Sequence, residues 1–446
     1  MTDTIYALAT AAGRSAVAVV RVSGPETASA LRALGADRLK PRQAHVRTFV
    51  GPRGEVLDRG IALWFPAPAS FTGENCGELH LHGGSAVVDS IMSALAEYGL
   101  RLAKPGEFTR RAFENGKLSL DQAEAIADLI DAETHRQARQ AIDQLAGALG
   151  KRFELWRAAL VEALGYLDAA VDFPEEDLPV AVANRARPLL DRVLNDLVEA
   201  TAHGDRGRAI RDGYRVALVG APNAGKSSLL NLLSAHQAAI VSPQPGTTRD
   251  IIEVHLVLNG YKVILADTAG IRSAGDEVER EGVRRARDWA SNAESRIWVV
   301  DGSDPTDAWT AAADVVRRGD LCVINKSDLG VTGAGVAADR LAKEQDLNVL
   351  HCSILGAGWE GVAAWLTDSV TLALSGSDFP ATTRLRHARV LQEARFHLER
   401  ALDVLDIPEL AAEDVRLCVR SLGHVTGVVG VEDVLGDIFS RFCIGK

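Results

Sequence analysis

The stretch Tyr214-Arg-Val-Ala-Leu-Val-Gly220-Ala-Pro-Asn-Ala-Gly225-Lys226-Ser227-Ser228 decides the fold. An apolar run of strand type, Tyr214–Val219, leads into a glycine loop, and a helical pattern opens near Ser227. The loop has the phosphate-binding spacing, with two glycines five residues apart and Lys-Ser after the second. Glycines let backbone amides turn toward phosphate oxygens, and the helix N-terminus adds a favourable dipole. A chance glycine-rich turn would not supply spacing and context together. On this reading Asn223, Ala224, Gly225, Lys226, Ser227 and Ser228 surround the phosphates. Lys226 pairs with β- and γ-phosphate oxygens, and Ser227 places its hydroxyl on Mg²⁺.

Downstream, four more β-rich runs alternate with helical segments: Lys262–Asp267, Arg296–Asp301, Leu321–Asn325 and Asn348–Cys352. That alternation predicts a parallel sheet wrapped by helices. Two of the runs end in further motifs. Asp267-Thr268-Ala269-Gly270 offers a carboxylate that holds Mg²⁺ through water and a Gly270 amide that senses the γ-phosphate. Asn325-Lys326-Ser-Asp328 offers a carboxylate that only accepts hydrogen bonds, which suits the guanine N1 and N2 donors and rejects adenine. Ser353, after the last strand, is expected beside the guanine O6. Three motifs in this order, each at a strand end, point to GTP. Thr247 and Thr248 lie in Gly246-Thr-Thr-Arg-Asp250, where a switch segment is expected. Thr248 is a candidate second Mg²⁺ ligand; ordinary loop chemistry is the alternative.

Many GTPases carry a water-orienting glutamine after Asp-x-x-Gly. Here that residue is Ile271, which cannot do this. Glu279, in Asp276-Glu-Val-Glu279-Arg280, is the best candidate for positioning water, although by its residues alone a solvated charge at a helix entry is the reading that wins. No arginine stands out as an internal finger. A monovalent cation would supply the missing charge, held by the Asn223 side-chain oxygen and carbonyls of the 239–248 loop.

Outward from this block the chain is helical on both sides. Ile142, Leu145, Leu149, Phe153, Trp156, Leu160, Leu164, Leu167 and Val171 recur at spacings of three and four, which predicts one long amphipathic helix or a pair. It is expected to stop near Phe173-Pro174. A further helical stretch runs from Ala183 to about Ala202, and periodicity returns after Leu374 in Leu385, Ala388, Leu391, Leu398, Leu402 and Leu405. The economical reading is a helical domain interrupted by an inserted α/β domain. The first 117 residues instead mix strand-like runs, Ala16–Val22 and Ile61–Phe65, with turns such as Gly51–Gly54. The expected division is an α+β domain at 1–117, helical parts at 118–212 and 374–446, and a Ras-like P-loop domain at 213–373.

The 446 residues carry a net charge of −11, so global charge does not advertise nucleic-acid binding. The local run Arg206, Arg208, Arg211 and Arg215 reads as a solvated linker or helix face. No apolar run reaches the roughly 18 residues of a membrane helix, and the start lacks a secretory pattern. Five cysteines, Cys76, Cys322, Cys352, Cys418 and Cys443, suit reduced thiols. The expectation is a cytoplasmic protein without a membrane partner. Cys443, fourth from the end, superficially fits a prenylation box, but Gly445 and Lys446 fit that poorly; a buried structural thiol is the better reading. His80 and His82 alternate on one strand, and a metal site would need further ligands.

Several segments together resemble the tRNA-modification GTPase family called MnmE or TrmE over essentially the full length. They are Gly220–Ser228, Ala238–Asp250, Asp267–Arg272, Asp276–Arg280, Pro105–Ala127 (PGEFTRRAFENGKLSLDQAEAIA) and the terminal Phe442-Cys-Ile-Gly-Lys446. Pro105–Ala127 and the terminus lie outside the nucleotide-binding block and are the specific ones. The resemblance implies an N-terminal folate-binding and dimerisation domain, a helical domain split in sequence, and an inserted G domain. It implies a homodimer whose G domains pair transiently, and potassium bound by Asn223, Ser242, Gln244 and Thr247. It assigns Thr248 to Mg²⁺ and Glu279 to catalysis. Ser242 stands where threonine is common, followed by Pro243-Gln244-Pro245, and Cys352-Ser-Ile-Leu replaces the usual residues around Ser353. For 5,10-methylene- or 5-formyl-tetrahydrofolate the resemblance implies Arg21, Glu78, Lys117 and Lys446, each of which is otherwise an ordinary surface charge. The implied reaction adds an aminomethyl or carboxymethylaminomethyl group to C5 of the wobble uridine, position 34, of certain tRNAs. The implied partner is MnmG (GidA), a flavin- and NADH-using protein that forms a heterotetramer with it. The rival reading is a GTP-switched assembly factor without nucleoside chemistry.

Overall fold

The computed structural model describes residues 3–172, 182–202, 204–236, 238–239, 252–267, 277–376, 379–380, 382–427, 432–440, 442 and 444–445. They gather into two compact units: residues 1–127, 144–194 and 390–446 form one, and 128–143 with 195–389 form the other.

The first unit holds a six-stranded sheet of β1 (Ile5–Leu8), β2 (Ser15–Ser23), β3 (His45–Val50), β4 (Val56–Phe65), β5 (Cys76–Gly83) and β6 (Arg101–Leu102). Its order is β3-β4-β5-β2-β1-β6. Neighbours are antiparallel except β1 and β6. Successive strand side chains point to opposite faces. Val20, Val22, Leu79 and Leu81 therefore enter one core with Leu31 of the helix Thr27–Ala33 and Ile91 and Leu95 of the helix Ser85–Glu97. Arg21, Glu78 and His80 occupy the alternate positions and are left for the other face.

The helical part of this unit centres on Ala148–Asp172, which buries Leu149, Phe153, Trp156, Leu160, Ala163, Leu167 and Ala170. Spacings of four and three make one continuous stripe. It packs against Pro408–Thr426, where Ala411, Val415, Cys418, Leu422 and Val425 are buried. The periodic run expected from Ile142 is a pair of helices: His135–Leu145 ends before Gly147, whose φ of +85° turns the chain into the second. The expected stop at Phe173-Pro174 lies outside the described residues.

The second unit carries a seven-stranded sheet: β7 (Tyr214–Val219), β8 (Ala238–Ala239), β9 (Ile252–Leu258), β10 (Tyr261–Asp267), β11 (Ser295–Asp301), β12 (Leu321–Asn325) and β13 (Asn348–His351). The order is β13-β12-β11-β7-β10-β9-β8. The five runs read from the sequence are the parallel strands. Two antiparallel strands, β9 and β8, extend the edge beyond β10. Glu253 and His255 break the apolar run of β9, as suits a half-exposed strand. Val216 and Leu218 of β7 face a core with Leu229, Leu233, Val362 and Leu366. Ala217 and Val219 face the opposite core, which holds Ala286, Ala290, Trp298 and Ala338. Helices on both faces bury most of the central strands β7, β11 and β12, all but Arg215 of β7 and Asp301 of β11, and parallel order puts their C-terminal ends at one edge.

Candidate nucleotide site

The loop after β7 is held by close backbone approaches. Gly220 has φ +141°, and a Cβ there would lie 2.1 Å from the Val299 carbonyl oxygen of β11. Gly225 has φ +111°, and a Cβ there would lie 2.3 Å from the Asn325 amide nitrogen. Both positions therefore demand glycine. Asn223 sits between them in the left-handed region, φ +64°, with its side chain exposed. The helix Lys226–His236 follows, with its first amides directed into the loop.

Lys226 is 5% exposed, and its ammonium donates to the carbonyls of Gly220 at 2.9 Å and Ala221 at 2.8 Å. Burial pushes its pKa below the ordinary lysine value, and the Asp267 carboxylate partly offsets this. The Ser227 hydroxyl donates to Asp267 Oδ2 at 2.6 Å. Asp267 Oδ1 is buried without a partner among the described residues. The Ser227–Asp267 pair thus keeps an unused hard oxygen, the donor type that Mg²⁺ takes.

Asn325, 3% exposed, ties three segments together. Its amide donates to the Ala224 carbonyl at 2.7 Å, and its oxygen accepts from the Ile354 amide at 2.9 Å. The phosphate loop, the end of β12 and the loop after β13 are thereby fixed to one side chain. Lys326 takes φ +59° and opens the short 3₁₀ turn Ser327–Leu329, which leaves Asp328 exposed. The Lys326 ammonium reaches Asp301 Oδ2, at the end of β11, at 2.5 Å. Burial alone would raise the Asp301 carboxyl, but hydrogen bonds from Lys326 and Ser303 outweigh it and hold the pKa low. Ser353 is half-buried, and its amide donates to the Ala357 carbonyl at 3.0 Å, closing the loop.

Lys226, Ser227, Asp267, Asn325, Asp328 and Ser353 all stand at or just after strand C-termini, at one edge of the sheet. Asp301 belongs there too and was not singled out from the sequence; its place at a strand end was the available signal. Ser242, Gln244, Thr247, Thr248, Thr268, Ala269 and Gly270 lie outside the described residues. Glu279 falls in the first turn of the helix Glu277–Asn292, and its side chain lies outside what is described.

A second group of expected residues lies in the first unit. Arg21 on β2 stands opposite Glu78 on β5, with Nε and Nη2 at 3.0 and 2.9 Å from Glu78 Oε1. The Arg21 guanidinium lies 5.4 Å from the Phe71 ring centroid and 5.8 Å from that of Phe108. His80 Nε2 is 3.5 Å from Glu78 Oε2. Lys117 runs over Gly73, where a Cβ would come within 3.2 Å of Lys117 Cε. Lys446 lies outside the described residues, as does Cys443. Gly445, with φ +100°, is seated where a Cβ would be 2.1 Å from the Leu8 carbonyl oxygen of β1. Arg21 and Glu78 are thus paired on one face of the sheet beside two aromatic rings. Phe71 and Phe108 were missed because their meeting with Arg21 joins residues far apart in the sequence. Among the described residues no group of three or more His, Cys, Asp or Glu could hold a metal, and His82 pairs with Asp58 at 2.7 Å. No described helix is long and apolar enough to cross a membrane.

Residues 4–117 match the family model of the GTP-binding protein TrmE N-terminus, and residues 120–443 match that of the MnmE helical domain. Curated relatives over the full length carry the name tRNA modification GTPase MnmE. That of Caulobacter vibrioides is 56% identical over 449 residues, covering 100% of both chains. That of Phenylobacterium zucineum is 52% identical over 450 residues, again 100% of both. That of Maricaulis maris is 47% identical over 452 residues, with the same coverage. Among solved structures, Aquifex aeolicus Era bound to GDP and aluminium fluoride is 24% identical, covering 43% of this chain and 67% of its own, with a TM-score of 0.29. That score adds nothing to the fold already described.

Proposed function

This chain belongs to the family of the tRNA modification GTPase MnmE, and from that membership we propose that it hydrolyses GTP in the service of tRNA modification. The observation that carries the reading is the Asn325 tie, which sets the phosphate loop and the guanine-side loops in one frame. Lys226 meets the β- and γ-phosphates with a charge already stripped of water, where electrostatic stabilisation is strongest. Ser227 and Thr248, with Asp267 through water, would hold Mg²⁺, which screens the phosphate charge when bound. Asp328 accepts from guanine N1 and N2, Ser353 lies by O6, and Thr268, Ala269 and Gly270 line the γ-phosphate. Glu279 orients the water that attacks the γ-phosphorus as GDP leaves. Asn223, Ser242, Gln244 and Thr247 would hold potassium beside the phosphates, since Ile271 cannot take the glutamine role.

The finer reading concerns the modified base. The product carries a carboxymethylaminomethyl or aminomethyl group at C5 of uridine 34. The one-carbon donor is 5,10-methylene- or 5-formyl-tetrahydrofolate, held by Arg21, Glu78, Lys117 and Lys446. The chain works in the cytoplasm as a homodimer, with the FAD-dependent MnmG completing a heterotetramer. Domain limits of 1–117, 118–212, 213–373 and 374–446 go with this reading.

Deleting the gene and analysing tRNA nucleosides by mass spectrometry tests it. Wobble uridine unmodified at C5 is expected; unchanged nucleosides would leave only a GTP-switched assembly role. Asp328→Asn separately tests base reading. The amide donates to the O2 of xanthine, so the variant should exchange GTP for XTP preference, measured by competitive binding. Retained GTP affinity would refute that role.

A further inference from the structure

β9 begins at Ile252, directly downstream of the segment that carries Thr247 and Thr248. Its first two residues pair with the last two of β10, Ile252 with Asp267 and Glu253 with Ala266. Residues directly opposite in an antiparallel pair share a face of the sheet. Glu253 therefore lies on the side of Ala266, whose parallel partner is Ala217 of β7. Ala217 belongs to the core that contains Ala286 and Ala290 of the helix Glu277–Asn292. The strand end beside Asp267 and the helix that carries Glu279 thus meet on one face.

That helix is pinned at its C-terminal end. The buried Arg296 guanidinium donates to the Ala290 carbonyl at 2.9 Å and the Ala293 carbonyl at 2.6 Å, and Asp320 Oδ2 stands 3.4 Å from its Nη1. A cation at this end also suits the helix dipole. Along the seam the contacts are of another kind. Ala286 and Ala290 are small and apolar, and such burial is non-directional, so it resists separation better than rotation. A directional contact comes from Trp289. Its indole N–H donates to Glu253 Oε1 at 3.0 Å, while its half-buried ring packs against the same core.

We propose that Trp289 is a positioning residue for GTP hydrolysis. Its bond to Glu253 fixes the rotation of the helix that carries Glu279 against the strand that continues from Thr248. The inference rests on the proposed role of Glu279 in orienting water. With the C-terminal end held by Arg296, the freedom left to the helix is a turn or swing about that end. The Trp289–Glu253 bond removes it. A small misplacement of a catalytic group costs rate steeply, because reacting atoms must be held in near-attack geometry. Neither side chain stands at the phosphate loop or beside Asp328, so nucleotide binding does not draw on the bond. Its loss should therefore appear in kcat and not in KM.

Steady-state GTP turnover of the full chain tests the proposal. Trp289→Phe keeps an aromatic ring and removes the donor, Glu253→Ala removes the acceptor, and Glu253→Gln keeps an acceptor oxygen. Trp289→Phe and Glu253→Ala should each lower kcat roughly 5-fold, about 1 kcal/mol of barrier, with KM for GTP unchanged. That is the size of one net hydrogen bond. The double variant should lose no more than either single one, and Glu253→Gln should keep most of the wild-type kcat. Melting temperatures should match wild type throughout, since the carboxylate is exposed. Glu279→Gln, measured alongside, tests the premise and should cut kcat roughly 100-fold or more. If it does so while Trp289→Phe and Glu253→Ala turn over as wild type, the positioning role is refuted and that of Glu279 stands. Losses that add in the double variant, or that come with a lowered melting temperature, also overturn the proposal. Wild-type turnover in Glu279→Gln removes the role of Glu279 and this one with it.

Discussion

The motif Asn-Lys-Ser-Asp joins two residues with separable parts. Asp328 is exposed, whereas Asn325 is buried and spends both ends of its amide on backbone. Removing it leaves the Ala224 carbonyl and the Ile354 amide unsatisfied, at about 1–3 kcal/mol each. Asn325→Ala should therefore lower the melting temperature and weaken GTP binding together, whereas Asp328→Asn changes base preference without the stability loss. Differential scanning calorimetry alongside nucleotide titration checks this. Lys226 yields a pH prediction. Burial lowers its pKa in the free protein, and bound phosphates raise it again. Binding must then take up protons wherever the free form has begun to lose its own. Affinity for GDP should be constant at lower pH, fall as pH rises through the lowered free value, and level off above the bound value. Calorimetry in two buffers of different ionisation enthalpy reads the proton uptake directly. A pH-independent affinity across that window would contradict it.

At the scale of elements, the two faces of Ala148–Asp172 differ in what they tolerate. Leu160 is fully buried in the stripe that meets Pro408–Thr426, while Leu155 is 72% exposed. Leu160→Ala should cost about 2–5 kcal/mol in stability and Leu155→Ala almost nothing. Chemical denaturation followed by helix signal checks both, and GTP turnover of the folded Leu160→Ala chain should persist. This stripe was legible because its period is carried by large residues. The interruption at Gly147 was not, since apolar spacing on either side continues through it and only the backbone angle breaks it. The same contrast runs through the second sheet. Five strands declared themselves as short apolar runs. β9 did not, because a half-exposed edge strand carries Glu253 and His255 among its apolar residues. The phosphate loop was legible down to single residues, since glycine is forced where a Cβ would run into the Val299 carbonyl or the Asn325 amide. The pairing of Lys326 with Asp301 and the rings beside Arg21 bring together residues far apart in sequence. Spacing along one chain cannot register such meetings.

For the molecule as a whole, the charge question is one of supply. Hydrolysis needs positive charge at the phosphates beyond Lys226, and no arginine of the chain stands out as the source. A potassium-dependent mechanism makes a sharp demand: GTP turnover should rise at least tenfold, about 1.4 kcal/mol of barrier, when sodium is replaced by potassium at equal ionic strength. Equal rates in the two salts would remove the cation from the mechanism and leave the charge to be found elsewhere. Because the chain forms two compact units, its unfolding is not guaranteed to be a single event, and stability changes should be assigned to one unit or the other.

A pair of indoles at β11, Trp298 buried and Trp309 half-buried, helps with that assignment. Trp298 is fully buried, its ring centroid is 6.1 Å from that of Trp309, and it sits in register with Val219, the residue before the phosphate loop. Two indole rings this close, held at 41° in a packed cluster, couple their electronic transitions. The G domain therefore carries an intrinsic chiroptical label, visible in near-ultraviolet circular dichroism without any added dye. With Trp64 and Trp156 of the other unit replaced by phenylalanine, its loss on heating or in denaturant follows the melting of this unit, while the helical signal reports on both.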